Sequence, residues 1–244
     1  MSRVVLVTGG TRGIGRGIAE VFAAAGDTVV VCGRREPEGL TGLDFLAADV
    51  RDPEACRTLV EGVVARHGRL DVLVNNAGGA PPAETATASP RFHDRIIGLN
   101  LTAPLTLSQL AHGVMDAQPE GGVIVNVASV SALRPSPLTA AYGAAKAGLL
   151  NLTRTLAVEW APRIRVVAVT PGLILTEDAE AFYGDRKAAI AATVPLGRFG
   201  TPEDVAQAVL WLASPAASYV SGTHLVLDGG GEQPAWLRAR EESS

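Results

Sequence analysis

The chain has 244 residues, 47% of them apolar but only 5% aromatic, so its interior is built mainly from Ala, Val, Leu and Ile, a palette suited to buried parallel strands. A net charge of −4, with no run of like charges, excludes the electrostatic signature of a nucleic-acid or anionic-membrane binder. Two cysteines, Cys32 and Cys56, are too few for a disulfide framework and lack metal-ligand spacing, which points to packing residues in a reducing compartment and to no metal.

Met1-Ser2-Arg3 leads into an apolar run that reaches glycine within a few residues and lacks a small-residue cleavage site, so it reads as a strand rather than a signal peptide. No apolar stretch reaches the roughly 20 uninterrupted residues that span a bilayer, and a soluble, cytoplasmic protein is expected. Short β-branched runs then alternate with helical segments. Strands are predicted at 4–7, 28–32, 43–47, 72–75, 122–128, 165–170 and 224–227, and helices at 15–25, 52–67, 90–115, 140–160 and 202–214. Thr201-Pro202-Glu203-Asp204 and Asp52-Pro53-Glu54 each place a capping oxygen, a first-turn proline and acids at a positive helix end. The pattern predicts one α/β domain over 1–244: a Rossmann-like, doubly wound, seven-stranded parallel sheet with helices on both faces. Two stretches break the alternation. Between Arg34 and Asp49, residues 35–42 are too short and too rich in Pro and Gly for a crossover helix, and 176–201 falls after a late strand end, where active-site lids of open sheets lie. The tail, 232–244, is either ordered through Trp236 and Leu237 against a neighbour or loose.

After the first strand comes Thr8-Gly9-Gly10-Thr11-Arg12-Gly13-Ile14-Gly15, opening an amphipathic helix. Such glycines let a backbone turn tightly and approach a pyrophosphate at the positive helix end. An ordinary glycine-rich turn has the same look, and the spacing, with three residues between the first pair, differs from the usual dinucleotide fingerprint.

That variant spacing, followed in order by Asp49-Val50, Asn75-Asn76-Ala77-Gly78, Asn100, Ser129, Tyr142-x-x-x-Lys146, Pro171-Gly172 and Thr176, resembles the short-chain dehydrogenase/reductase family across nearly the whole chain, including its large branch of 3-oxoacyl thioester reductases. The resemblance implies that Gly9, Gly13 and Gly15, with Thr11 and Ile14 in the same turn, bind the cofactor diphosphate. It further implies that Asp49 and Val50 contact adenine, that Asn75, Ala77, Gly78, Pro171 and Gly172 line the cofactor cleft, and that Ile174 and Thr176 contact the nicotinamide amide.

The second strand ends Cys32-Gly33-Arg34-Arg35 with no acid before Glu36. An acid here would bind the ribose 2′-hydroxyl of NAD, whereas a base pairs with the 2′-phosphate of NADP. Arg34 and Arg12 are placed to flank that phosphate, so NADP(H) is the expected cofactor, with NAD(H) as the alternative.

Reduction of a carbonyl needs a proton donor beside the developing alkoxide. A tyrosine serves only if nearby positive charge lowers its reference pKa of about 10. Lys146 lies one helical turn after Tyr142 on the same face and is expected to supply that charge. Ser129, at the end of the fifth strand, is placed to hold the substrate oxygen. The family's serine lies thirteen residues before its tyrosine, which selects Ser129 over Ser131. By resemblance Lys146 also binds the nicotinamide ribose. Pro104 cannot donate to the Asn100 carbonyl, so a local bend is expected there, and the resemblance makes that carbonyl part of a proton relay. The four histidines have no carboxylate or metal-ligand partner at a telling spacing and are read as structural or exposed.

The expected substrate is a small-molecule carbonyl or secondary alcohol, walled by 79–87, Leu133-Arg134, Gly172-Leu173 and the lid, with Phe182 and Tyr183 as an apolar cover. Acyl thioesters, steroids and small ketones all fit these walls. The segment 140–160 is apolar around much of its circumference, which suggests a subunit contact; the resemblance implies a homotetramer whose second interface uses 219–230. A secondary-alcohol or steroid dehydrogenase using NAD is the competing enzyme reading. A catalytically silent nucleotide-binding sensor is the competing non-enzyme reading, disfavoured by the presence together of Asn100, Ser129, Tyr142 and Lys146.

Overall fold

The computed structural model describes residues 2–232. The suggested contacts of Trp236 and Leu237 lie outside those residues.

Seven parallel strands form one sheet in the order β3-β2-β1-β4-β5-β6-β7: β1 is Val4–Thr8, β2 Thr28–Gly33, β3 Asp44–Ala47, β4 Val72–Asn75, β5 Gly122–Val127, β6 Ile164–Pro171 and β7 His224–Leu227. The period of two along β1 divides the core. Val4 and Leu6 pack on one face with residues of α2 (Pro53–His67) and α4 (Ala103–Met115), while Val5 and Val7 face α1 (Gly13–Ala24) and α8 (Pro202–Leu212). Strand order reverses between β1 and β4, and the crevice outside their carboxyl ends is where ligands of open α/β sheets bind.

The predicted strands and helices are all present, with ends shifted by one or two residues except in two places. The segment read as one helix from 90 to 115 is broken: α3 (Pro90–Ile97) passes through a π-helical stretch, Gly98–Thr102, into α4. The break falls where Pro104 withdraws a backbone N–H, so the bend expected there is taken up by a widened turn rather than a kink. The lid is not irregular throughout either, since α6 (Glu177–Tyr183) and α7 (Lys187–Ala191) form within it. Thr176 caps α6 by accepting the Ala179 N–H at 3.3 Å. The stretch between β2 and β3 contains no helix, as its Pro and Gly content predicted.

The capping signals act as read. Asp52 accepts the Glu54 N–H at 3.0 Å, and Thr201 and Asp204 form a reciprocal capping box at the start of α8. Helix α5 (Ala140–Glu159) packs its Ala145, Leu149 and Leu156 side onto the protein and leaves Val158 exposed. Among the described residues no helix is long and apolar enough to cross a membrane.

Candidate active site

A cleft of about 1110 Å³ opens at the carboxyl ends of the strands. One end is bounded by the turn after β1 and by Arg34 and Asp49; the other holds Ser129, Tyr142 and Lys146.

The glycine turn is shaped from beneath. Thr8 Oγ1 accepts the N–H groups of Asn76 and Ala77, each at 3.0 Å, and the Asn76 amide donates to the carbonyls of Thr8 (2.9 Å) and Gly9 (3.2 Å). Gly9 and Gly13 adopt positive φ, +63° and +53°. A side chain at position 15 would collide with the Gly9 carbonyl and the Asn76 amide. Helix α1 then begins without a side-chain cap and with no acid in its first turn, whereas α2, α3, α6 and α8 are capped by Asp52, Ser89, Thr176 and Thr201. Its free N–H groups and positive dipole end therefore suit an anionic group, and the turn fits the diphosphate of a dinucleotide.

Of the predicted cofactor residues, Gly9, Thr11, Arg12, Gly13, Ile14, Gly15, Arg34, Asp49, Val50, Ala77, Gly78, Pro171, Gly172, Ile174 and Thr176 all line the cleft. Asn75 does not. Its side chain turns into the protein, donating to Asn126 Oδ1 (2.9 Å) and Ser108 Oγ (3.1 Å), and Asn126 continues to Thr153 (2.9 Å). This buried chain links β4, α4, β5 and α5. Strand alternation sends consecutive side chains to opposite faces, so the cleft position falls to Asn76, which sequence reasoning quoted but did not choose.

At the adenosine end, Arg34, Arg35 and Arg51 also line the cleft. Arg51 donates to Asp49 at 2.9 Å, and this bond, with Arg34 nearby, holds the Asp49 carboxyl down at about 2. Arg12 lines the cleft with its guanidinium paired across the mouth to Asp178 of α6 at 2.7 Å. Both partners are largely exposed, so the pair contributes at most about 1 kcal/mol.

At the other end, Tyr142 and Lys146 project from the first turns of α5 beside Ser129, which follows β5. Lys146 is 3% exposed, donates to the Val127 carbonyl at 2.7 Å, and sits 5.6 Å from the centre of the Tyr142 ring. Burial pushes its ammonium down to about 8. The expected lowering of Tyr142 by Lys146 is not found. Burial raises the phenol, and only the Ser129 hydroxyl pulls it back. The ammonium is directed at the Val127 carbonyl, and both groups lose hydration together.

Asn100 is fully buried and does not line the cleft. Its side chain instead clamps the backbone at Gly79, accepting the Gly79 N–H (2.9 Å) and donating to the Gly79 carbonyl (3.0 Å) and to the Ile96 carbonyl (2.9 Å). A Cβ at position 78 would lie 2.7 Å from Asn100 Oδ1 and 3.3 Å from Lys146 Nζ, so glycine there lets both approach the cleft floor. Tyr183 lines the cleft and stacks on Phe199 at 5.3 Å between ring centres, whereas Phe182 faces outward, 63% exposed. Among the described residues no histidine lines the cleft, and His67 lies 3.0 Å from Asp44 at the amino end of β3, a structural contact between segments distant in the chain.

Comparison with known proteins agrees with this geometry. Residues 9–232 match the family model described as enoyl-(acyl carrier protein) reductase. The chain is 39% identical over 239 residues to a 3-oxoacyl-(acyl-carrier-protein) reductase of Thermotoga maritima, covering 93% of this chain and 97% of that one. It is 38% identical over 242 residues to 3beta-hydroxysteroid dehydrogenase 1 of Eggerthella lenta, covering 93% of each chain. The solved structure of ElxO with NADP bound superposes with a TM-score of 0.89 at 30% identity, covering 94% of this chain and 98% of that one. The chain therefore belongs to the short-chain dehydrogenase/reductase family, in the branch of the 3-oxoacyl thioester reductases, and is an oxidoreductase acting between CH–OH and C=O with a nicotinamide cofactor.

Proposed function

We propose that the protein is an NADP(H)-dependent reductase of ketones, with 3-oxoacyl thioesters within its range. The observation that carries this reading is the single cleft that joins an uncapped helix start and Arg34 at one end to Ser129, Tyr142 and Lys146 at the other. The glycine turn would hold the diphosphate, Arg34 would pair with the 2′-phosphate, joined by Arg12 once it leaves Asp178, and Asp49 and Val50 would bound the adenine. The cofactor, when bound, supplies the hydride. Everything else is proton handling and positioning by this chain.

Ser129 donates to the carbonyl oxygen and holds it against Tyr142, whose phenol delivers the proton as negative charge develops on that oxygen. Lys146, fixed by the Val127 carbonyl, holds its ammonium 5.6 Å from the centre of the phenol ring, and the Ser129 hydroxyl is the group that draws the phenol toward releasing its proton. The backbone at Gly78 and Gly79, clamped by Asn100, forms the wall beside them. The absence of an acid at the end of β2 supports NADP(H) over NAD(H). The exposed apolar residues Val158, Tyr219, Leu225 and Val226 support assembly into a homotetramer through α5 and the edge strand β7, which native mass measurement tests.

The test is a panel of small ketones and 3-oxoacyl thioesters with NADPH and NADH, followed at the reduced nicotinamide absorbance. The expected result is turnover with a higher kcat/KM for NADPH, and an Arg34→Asp variant that loses roughly 10- to 100-fold with NADPH and little with NADH. Higher kcat/KM with NADH overturns the cofactor assignment. Turnover confined to secondary alcohols with NAD moves the protein to the dehydrogenase class of its steroid-oxidising relative.

A further inference from the structure

Leu138 is the one non-glycine residue with a positive φ, +66°, among the described residues. It occupies the third position of the turn Ser136-Pro137-Leu138-Thr139, closed by the Thr139 N–H donating to the Ser136 carbonyl at 3.2 Å. Proline at the second position and a positive φ at the third define a type II turn, in which the third residue is ordinarily glycine. A leucine there is strained, and such strain persists where the surroundings impose it, often beside functional sites. The bracing is visible: Ser136 Oγ lies 3.0 Å from Ser131 Oγ and 2.6 Å from Thr139 Oγ1, and the Leu138 carbonyl accepts the Ala83 N–H at 2.8 Å. The last bond ties the loop after Gly79 to the segment that leads into Tyr142.

The leucine side chain is not spent on the core, being 45% exposed. With Ala80, Pro81, Phe92, Ile96 and Tyr142 it lines a recess of about 10 Å³, room for no more than one water. Tyr142 is the common wall of this recess and the main cleft. The recess also touches His93, whose Nδ1 is buried without a hydrogen-bond partner, so this spot is not completed as ordinary packing.

We propose that Leu138 is a specificity-determining residue. The left-handed turn holds its isobutyl group beside Tyr142, where it keeps the recess closed and limits the substituent on that side of the reacting carbonyl to a small apolar group such as methyl. The assignment rests on the ketone-reductase reading above.

Leu138→Ala and Leu138→Gly separate side chain from backbone, since both open the recess but only glycine relieves the strain. The measurement is kcat/KM for an aryl methyl ketone and for its isopropyl counterpart, together with Tm. Both variants are expected to raise the isopropyl-to-methyl ratio roughly tenfold, the scale of methylene discrimination in an apolar pocket. Leu138→Gly is also expected to raise Tm, which Leu138→Ala is not. Leu138→Met, which conserves volume, should keep the wild-type ratio. An unchanged ratio in both truncated variants, with wild-type turnover intact, overturns the proposal and leaves Leu138 a turn residue only. Failure of the wild-type protein to turn over either ketone with either cofactor, while binding NADPH, overturns the reductase reading and this assignment with it.

Discussion

The floor of the cleft and its lid are built on opposite principles. The floor is held by side chains bonded to backbone, buried at Thr8, Asn100 and Lys146 and half-buried at Asn76: Thr8 and Asn76 under the glycine turn, Asn100 on Gly79, Lys146 on the Val127 carbonyl. In the lid, α6 and α7 bury no residue: α6 is tied by the exposed Arg12–Asp178 pair and by Tyr183 stacked on Phe199, and burial returns only at Val194 and Phe199. A buried polar group that loses its partner costs about 1–3 kcal/mol, whereas exposed contacts cost little. The floor is thus a preorganised surface, and the segment over it is less constrained by its contacts.

Substitutions test that contrast. The largest effect is expected at Tyr142→Phe, which keeps the ring but removes the proton donor: kcat should fall by about 10²–10⁴ with NADPH affinity unchanged. Single-turnover kinetics and cofactor titration measure the two separately, and a fall in affinity that matches the loss of rate would make Tyr142 a binding residue instead. Lys146→Met carries the next largest. Burial lowers this lysine from 10.5 to about 8, so between those values the unfolded chain binds a proton that the folded one has released, and stability rises with pH through that window. Below about pH 8 the folded protein carries a desolvated cation worth about 3 kcal/mol of lost stability. The variant should therefore be inactive, and because it also leaves the buried Val127 carbonyl without a donor, the signature is the slope: its stability relative to wild type should fall as pH rises from about 8 to about 10.5. A gain in Tm independent of pH would refute the charge account.

Asn100→Ala is expected to destabilise the protein by roughly 1 kcal/mol, because it removes the side-chain bonds to the Ile96 carbonyl and to Gly79, whose exposed backbone water can still reach. It should also lower kcat more than it raises KM for NADPH. Full turnover with unchanged stability would remove Asn100 from the positioning apparatus and weaken the floor side of the contrast. The smallest effect belongs to the lid: Phe182→Ser, at an exposed position on α6, should change Tm by less than the equivalent of about 0.5 kcal/mol and leave cofactor affinity alone. Thermal denaturation that shows a core-sized loss would mean that the lid is a structural element after all.

The two sides of the cleft also differed in how far they could be read in advance. Strands β1 to β7 and the capped helix starts were legible because period-two alternation and local capping chemistry are written over a few neighbouring residues. The glycine turn was legible for the same reason, since it works through its own backbone, whereas the residues expected around the rest of the cleft came from the family resemblance. Asn75 was misplaced because its neighbour Asn76 is chemically identical, and only the direction of the strand's pleat separates the two. Pro104 announced a bend, but not that the helix would widen into a π turn over Gly98–Thr102. Nor could spacing alone say that the Lys146 ammonium would be committed to the Val127 carbonyl.

The sequence by itself determined the doubly wound sheet, the glycine turn and the placing of Tyr142 and Lys146 on one helix face, because each depends on periodicity or on residues a helical turn apart, while Ser129 was picked out by its family-like spacing before Tyr142. The tertiary structure alone decided which asparagine faces the cleft, how Asn100 clamps Gly79, which way burial moves Tyr142, and that Leu138 stands strained beside it. These depend on contacts between segments distant in the chain and on lost hydration, and neither is set by a residue's neighbours in sequence.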